Sequence, residues 1–201
     1  MGCDIHMMVE VKRSINDEEK WVNYDHFLMN PWHGDDDGDQ EFDRIDLESS
    51  RNYAAFSQLC GVRSYAGNTP MISEPRGIPE DACDYSKKVS EEWGCDGHSH
   101  SFVSLAEIRE FRSKLVPMPF KGMISEKQAA DLDKGIKPDS WCGWTSAPGY
   151  VHREWEDTVD ALKNINEALE ARALELWWLE KNIIPENIRI VFSSIINKPF
   201  N

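Results

Sequence analysis

The sequence predicts an α+β fold: a mainly antiparallel sheet using N- and C-terminal strands, packed with helices including one long C-terminal helix. Three observations carry this. Residues 3–12 alternate with period two, residues 188–192 read as a strand at the other end, and helical patterns fill the middle. No repeated strand–helix alternation appears, so a doubly wound parallel sheet has no support. At 201 residues and 40% hydrophobic, the chain predicts a single domain, residues 1–201, with a real core.

Each element has a local reason. Cys3, Ile5, Met7, Val9 and Val11 share one face of the first strand, and Asp4, His6, Met8, Glu10 and Lys12 share the other. Residues 14–19 form a polar turn, and Lys20–Tyr24 returns as the second arm of a hairpin. Residues 30–50 read as a long irregular loop. Asn52 to Cys60 predicts a short helix with Tyr53, Phe56, Leu59 and Cys60 on one stripe and Gly61 as its stop. Ser86–Trp93 predicts a helical piece ended by Gly94. Ser104 with Glu107, and Ser125 with Gln128, have capping-box spacing and open two further helices. The first runs to about Leu115, and Gly135 closes the second. Residues 156–182 carry apolar side chains at steps of three and four, a helix about 40 Å long that Pro185 ends.

Charge narrows the function classes. Lys and Arg number 22 against 36 Asp and Glu, a net charge of −14 that repels duplex nucleic acid. A small nucleotide held by a few local arginines fits such a field. Five cysteines at positions 3, 60, 83, 95 and 142 form no C-x-x-C and leave an odd one over, which predicts reduced thiols in a cytoplasm. No apolar run approaches a membrane span, no leader pattern opens the chain, and no membrane partner is expected. The opening Met-Gly does not make a myristoylation signal, because position 6 is His and not Ser or Thr.

The chemistry-bearing residues form two short segments. Asp4 and His6 stand two apart on one strand face, about 7 Å apart along the strand. His98-Ser99-His100, preceded by Asp96 and Gly97, repeats that spacing if extended. Brought together, D-x-H and H-x-H would converge three imidazoles with one or two carboxylates. That mixed set suits a divalent Zn, Mn or Fe ion, whose bound water can attack an ester or phosphodiester. The alternative is a hydrogen-bonded strand histidine at His6 and a solvated loop at His98 and His100.

Other motifs carry less. Placing Gly38 at position 6 of a calcium loop puts His33 at position 1 and Arg44 at position 12, both wrong, so Asp35–Asp39 reads as a solvated acidic loop. Arg51, Arg63 and Arg76 flank the short helix and the Pro/Gly segment, where they can grip a phosphate or serve as internal ion-pair partners. Trp177 and Trp178 are adjacent, so they point about 100° apart and one helix cannot easily bury both against one core face. Self-association through this helix, or cover by a neighbouring loop, is expected. No nucleophile-elbow, Walker or dinucleotide-binding motif occurs.

The opening Met1-Gly2-Cys3-Asp4-Ile5-His6 resembles an uncharacterised family of bacteriophage and prophage proteins that begin this way. The likeness continues through Arg51-Asn52-Tyr53 with Phe56, Val62-Arg63, Glu74-Pro75-Arg76-Gly77-Ile78-Pro79, and His98-Ser99-His100-Ser101. The Ile188–Phe192 strand is also similar to that family's C-terminal strand. The resemblance implies a phage-encoded protein working in a bacterial cytoplasm, with Asp4, His6, Arg51, Arg76, His98 and His100 in the shared motif. This chain departs at Ser193-Ser194, where the family pattern has bulkier and acidic residues.

Together these readings predict a small metal-dependent hydrolase acting on a phosphate-containing small molecule. Asp4, His6, His98 and His100 are the expected metal ligands. Asp96 is a further ligand or the group that orients a histidine. Glu10 is the candidate general base, and Arg51 and Arg76 would clamp the substrate anion. The alternative is a non-catalytic phage anti-defence protein that sequesters a nucleotide signal or binds a host protein.

Overall fold

The period-two alternation at the N-terminus becomes the strand β1, Cys3–Ile15, in a computed structural model that describes residues 3–34, 40–48, 52–62, 70–180 and 184–196. Asn16 and Asp17, both at positive φ (54° and 65°), turn the chain into β2, Glu18–Asn23. A two-residue loop with both φ positive matches the twist of the strands it joins. The register runs from Ile15↔Glu18 to Glu10↔Asn23.

Beyond Glu10 no strand among the described residues pairs with the β2 side of β1; the Val9 carbonyl accepts from the Tyr24 N–H, and side chains take up other backbone groups. The Val9 N–H donates to Asp25 Oδ1 at 2.8 Å, and the Met7 carbonyl accepts from Arg44 Nη1 at 3.0 Å. Burial pushes the Asp25 carboxyl above its ordinary range, against the pull of the Val9 N–H, Asn23, Arg44 and Arg172. Asp25 and Arg44 thus close an edge that would otherwise template further pairing. Asp25 precedes β3, His26–Met29, and Arg44 lies in its antiparallel partner β4, Phe42–Ile45, which forms inside the 30–50 stretch read from sequence as a loop.

Among the described residues the chain divides into two compact units, Met1–Ser113 with Ala161–Asn201, and Lys114–Asp160. The first holds a four-stranded antiparallel sheet, order β2-β1-β8-β5, with β5 at Gly97–Ser104 and β8 at Ile188–Ile196. The N- and C-terminal strands are therefore neighbours, and the fold class is α+β. One sheet face carries Ile5, Met7, Val9 and Val11 of β1 with Ile188, Ile190 and Phe192 of β8. Against it pack α1 (Tyr53–Cys60), α3 (Leu105–Ser113) and α5 (Lys163–Glu180), through Phe56, Leu59, Ile108, Ile165, Leu169 and Leu176, with Leu162 just ahead of α5. Burying each such side chain stabilises by about 1.5–3 kcal/mol.

The helix ends follow their signals. The Asn52 side chain accepts from the Ala55 N–H, and Gly61 caps α1 at φ 75°. Ser104 and Glu107 form the reciprocal capping box, Oγ accepting from the Glu107 N–H and Oε2 from the Ser104 N–H. On the other side of the sheet, α2 (Asp84–Glu92) runs into a single 3-10 turn, Gly94–Asp96, that leads to β5.

The second unit is where the sequence reading differs most. Residues 150–157 form a strand, β7, so α5 begins at Lys163 and not at 156. Tyr150–Asp157 places Val151 and Trp155 on alternate positions, and the helical spacing of Val159 with Leu162 hid the change of period. β7 pairs with β6, Met118–Ser125, whose Pro119 and Gly122 depress the strand signal. Gly122 has a steric reason: a Cβ there would stand 2.8 Å from Trp141 Cδ1 and 2.9 Å from the Cys142 carbonyl oxygen. α4, Glu126–Leu132, opens on the Ser125 capping box, and Ile124, Ala129 and Trp155 form this unit's own small core.

Candidate functional site

The two histidine segments lie on either side of one strand. β8 pairs with β1 through His6↔Ser193 and with β5 through His98↔Ser194. Two inter-strand spacings, about 10 Å, separate the β1 and β5 backbones. Directly opposed residues project from the same side of a sheet, so His6 and Ser193 share a face. Asp4, two residues before His6, shares it too.

Between His98 and Ser101 the register slips, two residues of β5, Ser99 and His100, facing one of β8, Ser193. The extra residue is a β-bulge, and Ser99 occupies it with φ 53°. The bulge breaks the expected H-x-H geometry. His98, opposite Ser194, falls on the side of Ile5 and Phe192, where its Nδ1 lies 2.9 Å from Ser99 Oγ. His100 falls on the His6 side, its Nδ1 2.6 Å from Ser193 Oγ. The sequence reading took His98-Ser99-His100 as a plain extended run and so placed both rings together.

Trp93 completes the cluster. Its ring lies 4.6 Å from the His6 ring, tilted by 32°. Gly97 permits this packing, since a Cβ there would meet Trp93 Cβ and His100 Cε1, each at 3.1 Å. The Trp93 Nε1 donor is buried without a partner among the described residues. Ser193 is 1% exposed, while His6, His100 and Trp93 are half-buried. Sequence reasoning missed both Ser193 and Trp93. The signal for the serine was visible, as two hydroxyls interrupt the otherwise apolar Ile190–Ile196 run.

The remaining candidates lie away from this cluster. Glu10 is fully buried four residues further along β1, about 13 Å from His6. Its Oε1 accepts from the Cys83 N–H at 2.8 Å and its Oε2 from Arg189 Nε at 2.7 Å, so it anchors an ion pair where a general base needs access. Arg76 pairs with Glu107 at 2.7 Å and places its guanidinium 5.4 Å from the Phe102 ring, tying its loop to β5 and α3. Asp96 sits half-buried in the 3-10 turn ahead of β5. Arg51, Arg63 and the Asp35–Asp39 run lie outside the described residues. Among the described residues, no three His, Cys, Asp or Glu side chains stand together closely enough to hold a metal ion. Asp4, His6 and His100 are the members of the expected ligand set that share one face.

Burial pushes the His6 imidazole below its ordinary 6.5; the Arg44 charge adds to this, and Asp46 and Asp4 oppose it. An unfolded chain then takes up this proton at higher pH than the folded one. The contribution is constant above pH 6.5 and erodes as the pH falls from there through the folded value. His6→Asn is expected to flatten this part of the acid limb in urea midpoints measured across that range. An unchanged slope would remove His6 as the cause.

No protein-family model, curated protein or solved structure matches the chain. Among the described residues, no helix is long and apolar enough to cross a membrane.

Proposed function

We propose that the protein is a phage-encoded binding protein of the bacterial cytoplasm that captures a phosphate-containing small molecule at the His6–Ser193–His100 face. The observation that carries this is the 2.6 Å His100–Ser193 contact directly across β8 from His6. Two imidazoles, beside a Trp93 N–H that has no partner among the described residues, supply fixed donors of the kind an oxyanion needs. Ser193 is tied to His100 and shielded, which suits a donor set better than an attacking nucleophile.

Metal-dependent hydrolysis is the second reading, favoured by Asp4, His6 and His100 lying on one face. A nucleotide panel incubated with and without added Zn, Mn or Fe separates the two. Capture predicts calorimetric binding without turnover, lost in His100→Ala and weakened in Gly97→Ala. Metal-stimulated phosphate release that His6→Ala abolishes would establish hydrolysis instead. Absence of both binding and turnover across the panel would overturn the site.

Self-association is a separate part of this reading. Trp177 and Trp178 stand 47% and 71% exposed beside Leu174 and Leu179, at 59% and 74%. Light scattering at high micromolar concentration should give a mass above 23.1 kDa that Trp178→Glu returns to it. A monomeric wild type would discard this partner.

A further inference from the structure

A cleft of about 720 Å3 opens beside β2, at the opposite end of the sheet from the histidine face. This volume lies within the range of small-molecule sites. Lys12, which lines it, is six residues along β1 from His6, about 20 Å away. The two places are therefore distinct sites.

One wall is a braced indole. Trp21 lines the cleft, donates from Nε1 to Asp81 Oδ2 at 2.9 Å, and has the Arg189 guanidinium 3.8 Å from its ring centroid. The Arg189 side chain is only 6% exposed, and Lys12 Nζ stands 6.0 Å from the same ring centroid, so the indole is held between fixed neighbours where it lines the cleft. Tyr85 of α2 adds a second aromatic wall, itself held edge-on by Phe27 at 6.2 Å. A rigid aromatic face of this kind stacks planar rings without ordering a mobile side chain at the moment of binding.

In a chain of net −14 the cleft lining carries three lysines against three carboxylates. Lys12, Lys20 and Lys87 all line the cleft. Lys87 donates to the Glu80 carbonyl oxygen at 2.7 Å and has no carboxylate partner among the described residues. Of the acidic lining, Asp81 is answered by Arg189 at 2.9 Å and Glu19 by Lys12 at 3.3 Å. Asp84 remains as a negative group at the start of α2. Lys20 pairs with Glu18 at 2.6 Å, so the Lys87 ammonium is left beside the Asp84 carboxylate, which suits a singly phosphorylated ligand better than a polyphosphate.

We propose that this cleft binds a planar aromatic ring carrying one phosphate, the chemistry of a nucleoside monophosphate, with Trp21 and Tyr85 holding the ring and Lys87 the anion. Calorimetric titration of the full chain with adenosine 5′-monophosphate, adenosine and inorganic phosphate tests it. The monophosphate should bind at least about tenfold more tightly than either fragment, as stacking and charge contribute together. Trp21→Ala and Lys87→Glu should each weaken it by about tenfold or more. Lys87 is half-buried and its ammonium holds one backbone carbonyl, so its variant keeps the test sound if Trp21→Ala loses its fold. His6→Ala with His100→Ala should leave this binding intact. Absence of heat with the monophosphate, equal affinity for the wild type and Lys87→Glu, or loss of binding in the histidine variant would each overturn the assignment.

Discussion

Arg189→Met is expected to destabilise the first unit by about 3–5 kcal/mol, because it leaves a buried carboxylate without its counter-charge. Glu10 is fully buried and the Arg189 side chain 6% exposed, with 2.7 Å between Nε and Oε2. The guanidinium also bonds Asp81 and lies over Trp21, so one substitution unties β8, β2 and the residue 81–83 segment together. Arg189 Nη2 is buried without a partner among the described residues, so the pair is incompletely satisfied by them. The double variant Glu10→Leu/Arg189→Met should therefore recover much of the loss, since apolar replacement of a whole buried pair is often neutral or better. The Cys83 N–H, which Glu10 also accepts from, sets the limit on that recovery. Urea denaturation of the two single variants and the double decides it. Additive losses in the double would show that the charges do not act as a pair.

The legible parts of the fold were those with a local cause. β1, α1 and both capping boxes each rest on a periodic face or on a side chain bonding its own backbone, and such causes sit within a few residues. β6 and β7 were not legible because their support is mutual. Pro119 and Gly122 make a poor strand alone, and only the cross-strand packing of Phe120 on Trp155, at 5.9 Å between ring centroids, rewards it. The candidate site shows the same division. That Asp4 and His6 share a face follows from alternation, which is a local rule. That His98 and His100 do not share one follows from a bulge at Ser99, and nothing in Gly97-His98-Ser99-His100 specifies where a ladder will slip. Ser193 lay outside any short motif. It joins the site only because the C-terminal strand inserts between β1 and β5, a pairing across most of the chain.

That insertion makes Phe192 and Ser193, adjacent on β8, a direct test of which face holds the fold and which holds the ligand. Phe192 is fully buried opposite Met7 and Ser101, on the side packed by α1, α3 and α5. Phe192→Ala is expected to cost about 3–5 kcal/mol, through lost transfer energy and the cavity left in a core that relaxes only in part. Ser193 is equally hidden, at 1% exposure, but its hydroxyl serves a half-buried imidazole that water can reach in its place. Ser193→Ala should therefore cost only about 1 kcal/mol, the net worth of one hydrogen bond. It should nonetheless weaken capture of the phosphate-bearing ligand, because His100 Nδ1 loses the contact that sets its tautomer and ring angle. Phe192→Leu keeps most of the volume and should bind ligand as the wild type does at temperatures where it is folded. Urea midpoints and calorimetry on the three variants read the two faces separately. Equal stability losses in Phe192→Ala and Ser193→Ala, or unaltered binding in Ser193→Ala, would break the division between a structural and a functional face of this sheet.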